Sequence, residues 1–217
     1  MNYKGIVFDL DGTLLHTLED LADAVNQVMK KHGFPIHGVQ DVRFFVGGGI
    51  RNLIWQAMPA KKRQEALTDQ CYAEMIEAYK NNFLNRTTLY DGIAELLDFL
   101  ESQKIKMAVF SNKADELTQK LVQKLLPWPF VRVQGMTTEE LKKPNPKIAV
   151  DIAHEMGFPV EEIVYVGDTG TDMKTAKGAG MYAVGVSWGF RDRGELQNTG
   201  AQMLIDHPRE LKTLFES

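Results

Sequence analysis

The sequence predicts an α/β protein, a doubly wound parallel sheet of the Rossmann-like kind with a helical cap domain inserted after strand 1. Three observations lead there. Ile6-Val7-Phe8 is an apolar run without polar alternation, as in a strand covered on both faces. Further runs of this kind recur later in the chain, and amphipathic helical patterns separate most of them. Between Leu15 and about Asn85, by contrast, the sequence holds no convincing strand.

The first strand runs straight into Asp9-Leu10-Asp11-Gly12-Thr13-Leu14. In the inserted stretch Leu21, Ala24, Val25, Val28 and Met29 fall at helical spacing. Leu53, Ile54 and Ala57 mark a second helix there, and Tyr72, Met75, Ile76 and Tyr79 a third. A right-handed crossover needs only about a dozen residues, so the excess calls for another role, and a helical lid over a site is the economical one. The expected division is a catalytic core of residues 1–15 plus 86–217 and a helical cap of 16–85. Beyond the cap, Ile93, Leu96, Leu97 and Leu100 give a helix that covers a sheet, followed by a strand from Lys106 to Phe110. Leu117, Leu121 and Leu125 mark the next helix, Phe130 to Val133 the next strand, and Ile148, Ile152, Ala153 and Met156 another helix. Strands follow at Ile163 to Val166, Tyr182 to Val186 and Met203 to Ile205, and Leu211, Leu214 and Phe215 suggest a short last helix.

At 217 residues the chain suits one large domain or a core with a smaller module. A net charge of −4 gives no global field favouring nucleic acid or anionic membranes, and Lys61-Lys62-Arg63 reads as a solvated helix start. Cys71, the single cysteine, excludes an intrachain disulfide and a cysteine-based zinc site. The amino terminus enters the first strand without a signal-peptide pattern, and no apolar run approaches membrane-spanning length. The expectation is a cytoplasmic protein, monomer or homodimer, with neither nucleic-acid nor membrane partners.

Chemistry-bearing residues cluster at strand ends, where open α/β sheets bind ligands. The first strand supplies Asp9 and Asp11, the next Ser111-Asn112-Lys113, a later loop Lys142-Lys143-Pro144, and the Ile163 strand Gly167-Asp168-Thr169-Gly170-Thr171-Asp172. A carboxylate such as Asp9 can attack phosphorus, provided that the phosphate's charge is neutralised. Magnesium, held by a few carboxylates, does this, with Asp168 a suitable further oxygen ligand. Ser111 and Asn112 fit phosphate oxygens at a helix start, and Lys143 adds a compact cation beside the nucleophile. Asp11 is near enough to protonate the leaving oxygen and later activate water. In Gly47-Gly48-Gly49-Ile50-Arg51, the free N–H groups around Gly49 and the guanidinium of Arg51 suit a substrate carboxylate.

Together these motifs resemble the haloacid dehalogenase-like superfamily, across essentially the whole chain. The resemblance implies Asp9 as nucleophile and Asp11 as general acid/base. It implies Mg2+ held by the carboxylates of Asp9 and Asp168 and the backbone carbonyl of Asp11, with Asp172 in an outer position. Within the superfamily the chain looks most like phosphoglycolate phosphatases. Ser111-Asn112-Lys113, Val46-Gly47-Gly48-Gly49-Ile50, Gly185 to Arg191 and Leu204-Ile205-Asp206-His207-Pro208 carry that likeness. It departs from them at His16-Thr17, where an acid and a serine are usual.

The leading reading is therefore a magnesium-dependent phosphatase of a small phosphorylated metabolite, acting through an aspartyl-phosphate, with phosphoglycolate the first candidate. The alternatives are a pyrophosphatase, a nonspecific metabolite phosphatase or a phosphosugar mutase, the last disfavoured by Thr13. A receiver-like phospho-acceptor module belongs to another class; it lacks a place for the helical insert.

Overall fold

The computed structural model describes residues 3–216, which form two compact units. One comprises the chain up to Leu15 and from Leu89 onward; the other is His16–Thr88.

The first unit is built on a six-stranded sheet. In chain order the strands are β1 (Gly5–Phe8), β2 (Leu15–His16), β3 (Thr88–Leu89), β4 (Lys106–Ala114), β5 (Phe130–Met136), β6 (Ile163–Gly167), β7 (Tyr182–Val186) and β8 (Met203–Ile205). The large sheet runs β5-β4-β1-β6-β7-β8, and each neighbouring pair is parallel. β1 is fully buried, which explains its unbroken apolar run. The chain passes from β1 to one side (β4, β5) and then returns to the other (β6, β7, β8). The strand order therefore reverses around β1, and such a switch point leaves a crevice at the carboxyl ends of the strands.

The helices of the second unit are α1 (Leu18–Lys31), α2 (Val39–Val42), α3 (Ile50–Ala57) and α4 (Glu65–Asn82). Those of the first unit are α5 (Ile93–Ser102), α6 (Asp115–Leu125), α7 (Lys147–Met156), α8 (Gly170–Ala179) and α9 (Arg193–Thr199). Val7, Ala108, Phe110, Ile163 and Tyr165 form one face of the sheet, against Ile148, Ile152 and Met156 of α7, Met173 of α8 and Leu196 of α9. Ile6 and Phe8, one residue either side of Val7, point to the opposite face by the two-residue period of a strand.

The helical unit packs α4 against α1 and α3, with Leu21, Val25, Met29, Leu53, Ile54, Cys71, Met75 and Tyr79 buried. Asp20, at the start of α1, is buried too, and its carboxylate accepts from Arg86 N, Thr87 N and Thr87 Oγ1 at 2.8–3.1 Å. The periodicity missed the four-residue α2, which is too short to show a repeat. The strandless reading of this stretch missed β2, whose two residues pair with β3. The last segment, Pro208–Leu214, is a 3-10 helix begun by Pro208, and Phe215 lies just past it. Among the described residues no helix is long and apolar enough to cross a membrane.

Candidate active site

The site grows from the carboxyl end of β1. The ladder continues one bond past the strand, Asp9 N donating to Val166 O at 2.9 Å, so Asp9 is fixed alongside β6. The chain then turns tightly, with Leu10 O accepting from the N–H groups of Thr13, Leu14 and Leu15. Gly12 holds φ +86° in this turn, and a Cβ there would stand 2.3 Å from an oxygen of Asp168. Only glycine meets both demands.

Asp168 follows β6 and is completely buried. Its Oδ1 accepts from Thr13 Oγ1 at 3.1 Å and its Oδ2 from Phe190 N at 2.8 Å. Gly189 permits this approach, because a Cβ there would lie 2.2 Å from Asp168 Cβ. Asp172, at the third position of α8, closes a capping box: its Oδ2 accepts from Thr169 N and Thr169 Oγ1 at 3.0 and 2.6 Å.

Lys143 joins these acids. Its Nζ lies 2.6 Å from Asp172 Oδ1 and 2.7 Å from Asp9 Oδ1, and the side chain is 2% exposed. The Asp9 contact is electrostatic, since that oxygen takes no aligned hydrogen bond. Asn112 fixes the lysine's main chain from both ends of its amide: Oδ1 accepts from Lys143 N at 2.8 Å and Nδ2 donates to Lys143 O at 3.1 Å. Its amide thus supports the Lys143 loop, a role that the residue type alone does not reveal. Ser111 is buried at the end of the Phe110 run, its Oγ accepting from Lys113 N at 3.2 Å. β4 does not stop at Phe110 but continues to Ala114, with an irregular register against β5 over that extension.

The partner of Asp11 is Lys113, which sequence reasoning did not pair with it. Lys113 Nζ donates to both of its oxygens at 2.9 Å, from a side chain only 1% exposed. The signal was there in a weak form, a lysine two residues beyond the strand-end serine. Gly49 and Arg51 belong to the helical unit. Gly49 precedes α3 at φ +86°. The guanidinium of Arg51 pairs with Glu65 and, at 2.9–3.0 Å, with Asp69, and these hydrogen bonds raise its pKa. A substrate carboxylate would have to compete with those two acids.

Four carboxyl groups, Asp9, Asp11, Asp168 and Asp172, meet two ammonium groups, Lys113 and Lys143, in the contacts described, so the site holds more acids than these two cations balance when all are ionised. The titration of the acids reflects this. Burial pushes Asp9 up to about 7, against the pull of Lys143 and with the help of Asp172 and Asp11. Burial, then the charges of Asp9 and Asp172, hold Asp168 well above the usual carboxylate range. Burial opposes the charge on Lys143, but Asp172 and Asp9 outweigh it and raise its pKa well above the ordinary lysine value.

Asp9, Asp168 and Asp172 each bring a carboxylate oxygen within 4.8 Å of the others. Both oxygens of Asp172 are engaged, by Lys143 and Thr169, those of Asp168 accept from Thr13 and Phe190, and Asp9 meets Lys143 through Oδ1; the three acids together are the carboxylate cluster that could hold a cation. An all-oxygen donor set with more acids than ammonium groups suits a hard divalent ion, which would take the place of the protons that burial holds there.

Residues 6–186 match the model of the haloacid dehalogenase-like hydrolases. A phosphoglycolate phosphatase of Pseudomonas savastanoi pv. phaseolicola is 30% identical over 212 residues, covering 96% of this chain and 78% of its own. One from Chromobacterium violaceum is 29% identical, covering 99% and 97%. A solved structure from Lactobacillus delbrueckii subsp. bulgaricus, provisionally assigned as a phosphoglycolate phosphatase, superposes with TM-score 0.92 at 28% identity, covering 99% of both chains. The chain belongs to the haloacid dehalogenase-like hydrolase family, among its phosphatases.

Proposed function

We propose that the chain is a magnesium-dependent phosphoglycolate phosphatase that works through an aspartyl-phosphate on Asp9. The observation that carries this reading is the ammonium of Lys143 between Asp9 and Asp172, with Asp168 beside them at the switch point of the sheet. The substrate comes from the relatives, which bear that name.

In the first half-reaction an oxygen of Asp9 attacks phosphorus and the bond to the ester oxygen breaks. Asp11 gives that oxygen its proton, so glycolate leaves as an alcohol. In the second half Asp11 takes a proton from water as the water attacks the phosphorus, and Asp9 returns as a carboxylate. Lys143 offsets the charge that gathers on the phosphoryl oxygens, aided by Ser111. Bound Mg2+, held by Asp9, Asp168 and the Asp11 carbonyl, supplies charge neutralisation and orientation of the phosphoryl group. The helical unit His16–Thr88, inserted directly behind the nucleophile's strand, serves as the cap. We place the enzyme in the cytoplasm, where charged phosphate esters are confined.

The test is a panel of phosphate monoesters plus pyrophosphate, assayed with Mg2+ and with excess chelator. Phosphoglycolate should give the highest kcat/KM, and the chelator should abolish turnover. With 32P-substrate, acid-quenched protein should carry hydroxylamine-labile label that Asp9→Asn lacks. Turnover by Asp9→Asn, or a preference for pyrophosphate, would overturn the reading.

A further inference from the structure

Lys113 has no part in the chemistry above, yet it is the second buried ammonium of the site and makes a two-pronged contact with Asp11. That contact poses a problem for catalysis. A group that protonates an ester oxygen must come within about 3 Å of it, and a carboxylate with both oxygens on a buried ammonium is held by charge-assisted bonds that an approaching neutral group does not displace. The side chain of Asp11 is 12% exposed and that of Lys113 1%, so the acid is the more accessible member of the pair. Lys143 is occupied elsewhere, on Asp9 and Asp172.

The chemistry of the substrate offers a solution. In phosphoglycolate a single methylene separates the ester oxygen from the carboxylate carbon. A group placed to protonate the ester oxygen is therefore also next to the substrate's carboxylate. The cation that serves Asp11 lies 2.9 Å beyond the oxygens of Asp11, within reach of the same carboxylate once the aspartate swings aside.

We propose that Lys113 is a specificity-determining residue that exchanges carboxylates, releasing Asp11 and binding in its place the carboxylate of a substrate that carries one on the carbon bearing the phosphate ester. The ion pair is thus replaced, not lost, and the buried ammonium is never left unpaired. An ester without that carboxylate has nothing to offer Lys113, and Asp11 stays held. The favoured class is the 2-phospho acids, phosphoglycolate and phospholactate. A simple alkyl phosphate is excluded by slow chemistry as well as by weak binding. This proposal rests on the phosphoglycolate reading given above.

The experiment compares phosphoglycolate, phospholactate and ethyl phosphate in wild-type protein, Lys113→Met and Lys113→Arg, with thermal melts to verify folding. In wild type the two phospho acids should exceed ethyl phosphate in kcat/KM by a hundredfold or more. Lys113→Met should cut that ratio at least tenfold, through a raised KM for the acids, and Lys113→Arg should restore part of it. If all three esters fall by the same factor in both variants, Lys113 is a structural residue and the assignment fails. If either variant does not fold, the other decides by the same ratio, and if neither folds Lys113 is likewise structural. If wild type does not distinguish ethyl phosphate from the acids, the phosphoglycolate reading itself fails, and this proposal with it.

Discussion

Asp172 Oδ1 sits 2.6 Å from Lys143 Nζ in a fully buried pair, and the same ammonium reaches Asp9. The lysine is thus tethered from behind by an acid that is itself fixed to Thr169 at the start of α8. Removing one member of a buried ion pair typically costs about 3–5 kcal/mol. Asp172→Ala is accordingly expected to lose stability of that order in urea unfolding. Its kcat should fall by roughly a hundredfold, the usual penalty for a misplaced active-site group. Full activity in the variant would show that Lys143 needs no such anchor.

Asn112 acts on the same lysine through its main chain. Asn112→Ala deletes both hydrogen bonds and leaves buried backbone groups without them, at a cost of about 1–3 kcal/mol. The fall should be mainly in kcat, because the Lys143 ammonium loses its position while Ser111 stays in place. Steady-state kinetics with phosphoglycolate separates this from a direct substrate contact, which would raise KM alone.

The pH dependence of stability has a definite sign. An unfolded aspartate titrates near 3.9, whereas burial holds Asp9 at about 7. Between these values the folded chain keeps a proton that the unfolded chain has released, so stability is lost as pH rises through the window. Without metal, wild type should become less stable relative to Asp9→Asn from about pH 4 to about pH 7, with the gap level above it. Mg2+ should narrow the gap. Urea midpoints of both proteins across this range, with and without Mg2+, provide the check, and a pH-independent gap would contradict the assignment.

Gly189→Ala brings a Cβ to 2.2 Å from Asp168 Cβ and 2.5 Å from Gly12 O. Neither neighbour is the loose end of a flexible side chain, so overpacking of roughly 1–3 kcal/mol is expected. Asp168 must shift, and Mg2+ affinity measured by calorimetry should weaken along with stability. Unchanged affinity would place the cation elsewhere.

Much of the sheet could be read from local pattern. β1, β6 and β7 are short apolar runs buried throughout or nearly so, and composition is enough to identify such strands. The loops with Asp9, Ser111, Lys143 and Asp168 stood out because acids, a hydroxyl and a lysine follow strands directly. What escaped was pairing between side chains distant in sequence. The Lys113–Asp11 contact spans 102 positions and has no periodic signature. Arg51 looked like an anion receptor, while Glu65 and Asp69, which hold it, lie more than a turn of helix away on α4. The hydrogen bonds of the Asn112 amide to the Lys143 main chain, 31 positions away, are likewise set by tertiary packing and have no local signature.

The six-stranded sheet is interrupted: β1 is made first, its neighbours β4 and β6 begin only at Lys106 and Ile163, and His16–Thr88 comes between. Read as an order of synthesis, this means that the inserted helices leave the ribosome complete while β1 still has two bare edges. The guest can mature before its host. A chain stopped short of Ile163 lacks the acid of the β6 loop and one whole flank of the opening strand, so partial products are inert by construction and the burden of keeping that strand from foreign edges falls on the interval before β6 arrives.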